Sequence, residues 1–155
     1  ISSPRLLELT RYQPDTILCL NVLEHVKDDR AALSLMFDIL PQRGRLVIFV
    51  PAFQDLYGSI DRLLGHHRRY AKRELREKLT QTGFTISALF FMNCVAPVGW
   101  WLNNRLLKRT EESPAQVMVF NRWVVPWLSK LERVLRPPFG LSLIALGEKR
   151  GEPWV

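Results

Sequence analysis

The sequence predicts an α/β protein with a mainly parallel sheet. Short apolar runs alternate with amphipathic stretches along the 155 residues, which is the order expected of strands joined by crossover helices. Hydrophobic residues make up 47% and charged residues 24% of the chain, a balance typical of a globular domain rather than of a disordered chain. Two cysteines are too few for a disulfide scaffold or a four-cysteine zinc site, and they fit a reducing compartment.

The first half of the chain predicts a strand, a helix and a second strand. Residues 16–20 are short, apolar and β-prone, and residues 45–50 repeat this pattern, so we expect two strands buried on both faces. Between them, Asp28 and Asp29 supply a helix N-cap signal. The apolar positions that follow it have helical spacing: Leu33, Met36, Phe37 and Leu40.

The second half predicts one more helix and two more strands. A polar and aromatic connection over residues 51–70 comes first, and connections of that length in compact domains are usually functional or disordered. The helix that follows carries Ala71, Leu75 and Leu79 on one face, and Gly83 ends it. Residues 84–92 and 141–146 predict the last strands.

The net charge of +7 arises mainly from two basic stretches, over residues 62–78 and 105–136. Such an excess attracts an anionic partner, which can be a phosphate-bearing substrate, a nucleic acid or an anionic lipid. A solvated basic surface is the alternative. Because no nucleic-acid-binding motif accompanies the charge, we expect no nucleic-acid partner.

Residues 93–138 predict a helical, Trp-rich insert before the last strand. One helical face of this insert holds Val98, Trp101, Leu102 and Leu106, with Arg105 and Arg109 beside it. Tryptophan and arginine on an amphipathic helix favour the membrane interface, whereas packing of the face on the sheet or over the active site is the alternative. The insert begins within a stretch that has no charged residues, but polar residues interrupt this stretch. We therefore expect peripheral contact with an anionic membrane rather than a membrane-spanning helix.

Five segments in order resemble class I S-adenosylmethionine-dependent methyltransferases of the type 11/12-like group. The segment DTILCLNVLEHV, residues 15–26, resembles the fourth strand of that family and the turn after it. The others are LPQRGRLVIFVP at 40–51, the G-H-x-R-R-Y loop within 53–75, the Gly-Phe pair at 83–84, and the closing strand at 139–149. The resemblance implies a partial Rossmann-like sheet whose last strand is antiparallel.

Two signatures of that family are missing from the sequence. No G-x-G-x-x-G loop occurs, and neither does the acidic residue that ends the second strand of the family. We therefore expect residues 1–155 to be a single, N-terminally truncated methyltransferase domain with Ile1 as a cut point. By itself such a chain is expected to bind cofactor poorly and to be inactive.

The resemblance implies S-adenosylmethionine as cofactor and methyl transfer as the reaction. We expect O-methylation of a small-molecule, glycan or lipid-linked acceptor in the cytoplasm, at the inner face of the membrane. Ligands of open α/β sheets bind at the carboxyl ends of the strands. The predicted cofactor contacts there are Leu20, Asn21, Val22, Leu23 and His25. The predicted acceptor contacts are Pro51, Tyr57, Arg68, Arg69 and Tyr70. The alternative is a non-catalytic membrane- or partner-binding module on a degenerate methyltransferase fold.

Three residues of the long connection are candidates for a general base, namely His66, His67 and Asp61. Histidine side chains ionise near neutral pH and can take a proton from an acceptor hydroxyl, and Asp61 can orient such a histidine or act as the base itself. In the alternative, His66 and its neighbours only anchor the loop to the next helix. In related ubiquinone-pathway and small-RNA methyltransferases an E-x-x-E-H pattern binds a divalent metal, but Asn21 stands here at the position of its first glutamate. Glu24 and His25 then offer one carboxylate and one imidazole, whereas hard cations prefer more oxygen ligands, so we expect no metal site.

Overall fold

The computed structural model describes residues 8–93 and 138–150, together with Arg122 and Pro126. Residues 1–90 and 143–155 form one compact unit and residues 91–142 form another. The predicted insert at 93–138 falls in the second unit and lies almost entirely outside the described residues, so its helices and its tryptophan face stay predictions. Within the described part, no helix is both long enough and apolar enough to cross a bilayer.

In the described ranges, four strands form one sheet in the order β1-β2-β4-β3. The strands are β1 (Thr16–Leu20), β2 (Arg45–Pro51), β3 (Phe84–Met92) and β4 (Ser142–Lys149). All four were predicted, with ends that differ by a few residues at most.

The sheet is parallel at one side and antiparallel at the other. β1 and β2 run parallel, with Leu20 opposite Phe49 at their carboxyl ends. β4 lies between β2 and β3 and runs antiparallel to β2. The Lys149 amide at the end of β4 accordingly donates to the Gly44 carbonyl just before the start of β2, at 2.9 Å. The predicted fold class, a partial Rossmann-like sheet with an antiparallel last strand, is confirmed.

The prediction that β1 is buried on both faces is wrong. Its Leu18 and Leu20 side chains are 64% and 49% exposed, and only Cys19 of this strand is buried. Leu18 and Leu20 lie on one face of the strand, since side chains alternate along it, and this face stays exposed in the part of the chain that the structure describes.

Within residues 8–93, three α-helices accompany the strands, namely α1 (Asp29–Ile39), α2 (Ser59–Leu63) and α3 (Lys72–Thr82). As predicted, Asp28 caps α1, because its carboxylate accepts a hydrogen bond from the Ala31 amide at 3.0 Å. α3 ends at Gly83, whose φ of 106° is left-handed. A Cβ at this glycine would lie 2.9 Å from Phe37 of α1, so the glycine also allows the two helices to approach each other.

Candidate active site at the carboxyl ends of β1 and β2

The chain turns sharply where β1 ends. The Asn21 amide donates to the Phe49 carbonyl at 2.9 Å, which extends the pairing with β2 by one residue. Asn21 then has a φ of 51°, a left-handed conformation that asparagine adopts more readily than most residues. A single 3₁₀ turn, Leu23–His25, follows directly, so Glu24 and His25 lie at the carboxyl edge of the sheet.

The connection after β2 leaves the sheet and returns to it. The Tyr70 amide donates to the Pro51 carbonyl at 2.9 Å, and the Phe53 amide donates to the Tyr70 carbonyl at 3.0 Å. Inside this loop the Tyr57 hydroxyl donates to the His66 carbonyl at 2.8 Å. The His67 amide donates to the Glu24 carbonyl at 2.7 Å. These bonds bring the G-H-x-R-R-Y segment against the turn that follows β1.

Asp61 organises the loop from a position that is 1% exposed. Its Oδ1 accepts from Arg69 Nε at 2.8 Å and lies 2.9 Å from His66 Nδ1, while Oδ2 accepts from the Gly58 amide at 2.9 Å. Burial by itself would raise the pKa of Asp61, but the hydrogen bonds from Arg69, Gly58 and His66 outweigh it and lower the pKa to about 2. The side chain is therefore a carboxylate at neutral pH.

The partners of the two histidines define their tautomers. An ionised carboxylate only accepts hydrogen bonds, so His66 carries a proton on Nδ1, which faces Asp61, and its Nε2 is left for another partner. His25 Nδ1 lies 3.2 Å from the Gly65 carbonyl oxygen, which also only accepts. The two rings meet edge to face with centroids 4.7 Å apart.

Glu24 lies beside these rings and is itself 1% exposed. Among the described residues, neither of its carboxylate oxygens has a hydrogen-bond partner. One ligand atom each from Glu24, His25 and His66 lies within 4.8 Å of the other two. We call these three residues the Glu24 cluster.

A second buried acid close by has the opposite environment. Asp29, the first residue of α1, is 3% exposed. Its Oδ2 accepts from Lys78 Nζ at 2.5 Å and from the Tyr70 hydroxyl at 3.0 Å, and Arg68 Nη1 lies 3.0 Å away. Burial would raise the pKa of Asp29, but these donors lower it overall. We call Asp29, Arg68, Tyr70 and Lys78 the Asp29 cluster.

The pKa values of two further side chains reflect the low polarity of the core behind the carboxyl edge of the sheet. Burial, followed by the nearby Glu24 charge, raises the pKa of the Cys19 thiol to about 11. Burial and the Asp29 carboxylate raise the pKa of Tyr70 strongly. Cys19 is therefore a neutral, inert side chain at physiological pH, as expected for a cysteine packed in a core.

The predicted cofactor residues are spread over exposed and buried positions. Leu20 and Val22 are 49% and 43% exposed on either side of Asn21, and His25 is exposed. Leu23 is fully buried, so its side chain belongs to the core, while its carbonyl accepts from the Tyr70 hydroxyl. The contacts of these residues with a cofactor stay predictions.

The predicted acceptor residues mostly have structural contacts, which supports the anchoring alternative for them. Tyr70 is fully buried, and its burial does not favour its predicted contact with an acceptor. Arg69 pairs with Asp61, and Arg68 pairs with Asp29 and donates to the Lys27 carbonyl. Pro51 ends β2, and its carbonyl accepts from the Tyr70 amide. The His67 side chain is exposed, and no described hydrogen bond orients it.

Sequence reasoning missed two features of this region. It treated Asp29 as a helix start, although Asp29 is also the centre of a buried ion-pair network. It paired Glu24 only with its neighbour His25, although His66 completes the cluster. The sequence does place acidic residues before the long connection and basic residues within and after it. Which acidic residue meets which basic residue, however, depends on how that connection folds.

Solved structures of other proteins share this fold. A chain in the complex that contains the Haloferax volcanii Trm112 methyltransferase activator has a TM-score of 0.53 at 14% identity, over 92% of this chain and 57% of that one. A SAM-dependent methyltransferase from Archaeoglobus fulgidus has a TM-score of 0.50 at 21% identity, over 96% of this chain and 66% of that one. The cyclase SpnF has a TM-score of 0.51 at 16% identity, over 89% of this chain and 50% of that one.

No protein-family model and no curated protein sequence matches the chain. The chain spans 57% and 66% of the length of the first two structural relatives. At these identities the likeness concerns the fold, and the fold is that of class I S-adenosylmethionine-dependent methyltransferases.

Proposed function

We propose that the chain, which has the class I methyltransferase fold, takes part in S-adenosylmethionine-dependent methyl transfer. The observation that carries the proposal is the position of the Glu24 cluster. It lies at the carboxyl ends of two parallel strands, where ligands of open α/β sheets bind, and it follows the strained turn at Asn21. Because a cyclase shares the fold, the fold alone leaves the reaction open, and the site has to support it.

The residues at the end of β1 combine apolar and polar side chains that are suitable for contact with the cofactor. Leu20 and Val22 are partly exposed and apolar, and Asn21 between them offers an amide side chain at the same edge. We assign these residues, with His25, to the cofactor. When bound, S-adenosylmethionine supplies a methyl group on a positively charged sulfur. The work of the chain is then to hold the acceptor in line with that methyl group, since alignment supplies much of the rate advantage of such displacements.

An acceptor hydroxyl must lose its proton as the new oxygen–carbon bond forms. Among the chain's own side chains, His66 is the one placed to take this proton, because Asp61 fixes its Nδ1 and leaves Nε2 directed elsewhere. Asp61 itself, with a pKa of about 2, is too weak a base and is a positioning residue. His67 has an exposed side chain with no described partner to orient it.

The basic surface supports an anionic acceptor, such as a glycan or lipid-linked phosphate. Arg68 and Arg69 are already paired with Asp29 and Asp61. The candidates for contact with an anion are therefore exposed cations on α2 and α3, namely Arg62, Arg76 and Arg73, whose pair with Glu77 is itself exposed. Peripheral attachment to an anionic membrane at its cytoplasmic face belongs to the same proposal. It is tested by sedimentation with vesicles that contain or lack anionic lipid, with salt as the control.

The test of cofactor binding is a calorimetric titration of S-adenosylmethionine and S-adenosylhomocysteine. One sample is this chain, and the other is the open reading frame extended as far upstream of Ile1 as it runs. Binding in either sample supports the proposal. Absence of binding in both overturns it and favours the non-catalytic module, an alternative that the lack of a G-x-G-x-x-G loop also favours.

The test of the base is a pair of adjacent histidine variants, assayed in whichever sample binds cofactor. With labelled S-adenosylmethionine and a panel of hydroxyl acceptors, His66→Ala should lower turnover by about 100-fold or more, with cofactor affinity retained. His67→Ala is the matched control and should stay within about twofold of the unaltered protein. Equal losses in both variants would remove the assignment of His66.

A further inference from the structure

We propose that the outer side of α2 is the surface by which this chain attaches to an anionic lipid bilayer. Ile60 and Leu63 lie in the helix, and Leu64 is its C-terminal cap. We call these three residues the α2 face. The inference rests on the membrane attachment that belongs to the proposed function, and it names the residues responsible. It does not depend on methyl transfer.

The first support is the exposure of these side chains. Leu63 is 87% exposed, Ile60 is 59% exposed and Leu64 is 57% exposed. Leu56, in the 3₁₀ turn before the helix, is exposed as well. Leucine and isoleucine are among the residue types that proteins bury most often. Several of them together at the surface indicate contact with a partner, a ligand or a membrane.

The second support is that the polarity of α2 is reversed. A helix on the surface of a domain in water usually directs its apolar residues to the core and its polar residues to the solvent. The buried residue of α2 is instead the acid Asp61, which is held by Arg69, His66 and the Gly58 amide. Positions 60, 63 and 64 share one side of the helix, and this side is apolar and exposed. Such a helix suits an apolar medium on its outer side.

The third support is charge, which favours anionic lipid. Arg62 is exposed on α2, between Ile60 and Leu63 in the sequence. A long basic side chain can reach headgroup phosphates while its apolar neighbours enter the acyl boundary. The net charge of +7 adds attraction to an anionic surface. Asp55 in the preceding turn is exposed and opposes this attraction locally, whereas Asp61 is buried and paired.

The size of the α2 face argues against a second copy of the chain or another protein as its partner. Three aliphatic side chains of this exposure present an apolar area on the order of 300 Å². Stable protein–protein interfaces bury about 800 Å² on each partner, and the net charge of +7 opposes the association of two copies. Attachment to a bilayer has no such minimum area, since its strength grows with the apolar area inserted and the charge beside it.

Attachment through α2 would bring the candidate site to the membrane surface. Asp61 Oδ1 lies 2.9 Å from His66 Nδ1, and the Tyr57 hydroxyl donates to the His66 carbonyl. The proposed base is therefore tied to the inner side of the helix whose outer side enters the headgroup region. A lipid-linked acceptor with its hydroxyl at the level of the headgroups would reach His66 while its chains stay in the bilayer. Among the proposed acceptor classes, this geometry favours the lipid-linked one.

The experiment is sedimentation of the complete chain with phosphatidylcholine vesicles that contain or lack phosphatidylglycerol. We expect binding to the anionic vesicles, and we expect it to weaken as the salt concentration rises. Leu63→Gln should lower the partition coefficient by about tenfold, and the double variant Ile60→Gln with Leu63→Gln should lower it by about 100-fold. Arg62→Gln should lower it by about fivefold, and only for the anionic vesicles.

Leu18→Gln is the matched control, because Leu18 lies on β1 and is 64% exposed. It should bind vesicles as the unaltered chain does. An unchanged partition coefficient in the double variant, or an equal loss in Leu18→Gln, would overturn the proposal. So would a dimer of the unaltered chain, seen by light scattering, that Leu63→Gln converts to a monomer with no change in vesicle binding.

A measurement on the unaltered chain covers the case in which a variant fails to fold. Bicelles of the same anionic lipid, with a nitroxide near the top of the acyl chain, should broaden the methyl resonances of Ile60, Leu63 and Leu64 more than those of Leu18. Broadening confined to other parts of the chain would refute the α2 face as the contact.

The outcomes separate this inference from the proposed function. If the chain binds anionic vesicles and the α2 variants bind equally well, the α2 face is refuted and the membrane attachment stands. Absence of vesicle binding overturns both. Because no cofactor is present in these experiments, the proposal of methyl transfer stands or falls on the titrations described above.

Discussion

Asp29 and Glu24 are two buried acids that follow the same strand, and they differ in what surrounds them. Asp29 receives Lys78, Tyr70 and Arg68 on a single carboxylate oxygen. Glu24 receives no hydrogen bond from any described residue, although it is buried to the same degree. The acid of the Asp29 cluster joins the start of α1 to the loop and to α3, whereas the acid of the Glu24 cluster has no described donor and lies beside the exposed His25.

The difference separates a part of the fold from a part of the site. A buried polar network whose members satisfy one another contributes to stability, and loss of one member leaves the others unpaired. A buried carboxylate without donors costs stability, and proteins retain such groups chiefly where a ligand completes them. Substitutions in the Asp29 cluster should therefore lower the free energy of unfolding, while substitutions in the Glu24 cluster should change the binding of ligands.

The largest expected effect is that of Asp29→Ala. This change leaves the Lys78 cation, which is 8% exposed, and the buried Tyr70 hydroxyl without their shared acceptor. The free energy of unfolding, measured by urea titration of this chain, should fall by about 3–5 kcal/mol. A loss below about 1 kcal/mol would mean that Glu74, which also contacts Lys78 at 2.7 Å, satisfies the network by itself.

A somewhat smaller effect is expected from acid, through Asp61. Its pKa is lowered from 3.8 to about 2 in the folded chain, so its contribution is complete above the pKa of the unfolded chain. As the pH falls from about 4 to about 2, this contribution of about 2 kcal/mol is lost. Urea titrations across this range should show a smaller loss for Asp61→Asn than for the unaltered chain. If the free energy of unfolding fell equally with pH in both proteins, the hydrogen bonds to Asp61 would contribute nothing to stability.

Tyr70→Phe should have a more moderate effect. The change removes a hydroxyl that donates to Asp29 at 3.0 Å and lies 3.3 Å from the Leu23 carbonyl, and it keeps the packing of the ring. The free energy of unfolding should fall by about 1–2 kcal/mol. An unchanged value, by the same urea titration, would show that Lys78 alone is sufficient for Asp29.

The smallest of the stability effects belongs to Arg68→Met. The Arg68 side chain is 26% exposed, so water screens its pair with Asp29. We expect a loss of about 1 kcal/mol or less, seen as a small shift of the thermal midpoint. A loss as large as that of Asp29→Ala would show that Arg68, rather than Lys78, is the main counter-charge of Asp29.

The regular elements followed from local patterns in the sequence. The apolar runs gave β1 and β2, and the cap at Asp28 and the stop at Gly83 bounded helices that the structure confirms. The burial of β1 was predicted wrongly, because the exposure of Leu18 depends on what packs against its face of the sheet, and the residues of a strand do not encode that.

The site was predictable in position but not in composition. Its place at the ends of β1 and β2 follows from the topology of parallel sheets. The pairing of Asp61 with His66 was anticipated, since the two residues lie in one loop. The pairing of Asp29 with Lys78 and the isolation of Glu24 depend on contacts between distant segments, which residue types and spacing do not reveal.

The most direct measurement compares Glu24→Gln with Asp29→Asn in one set of urea titrations of this chain. Both changes keep the shape of the side chain and remove its charge. We expect the free energy of unfolding of Glu24→Gln to stay within about 0.5 kcal/mol of that of the unaltered chain or to exceed it, because a neutral amide is less costly to bury. We expect Asp29→Asn to lose about 2–3 kcal/mol, because Lys78 loses its counter-charge. An equal loss in both variants would show that Glu24 stabilises the fold as Asp29 does, contrary to the distinction drawn between the two acids.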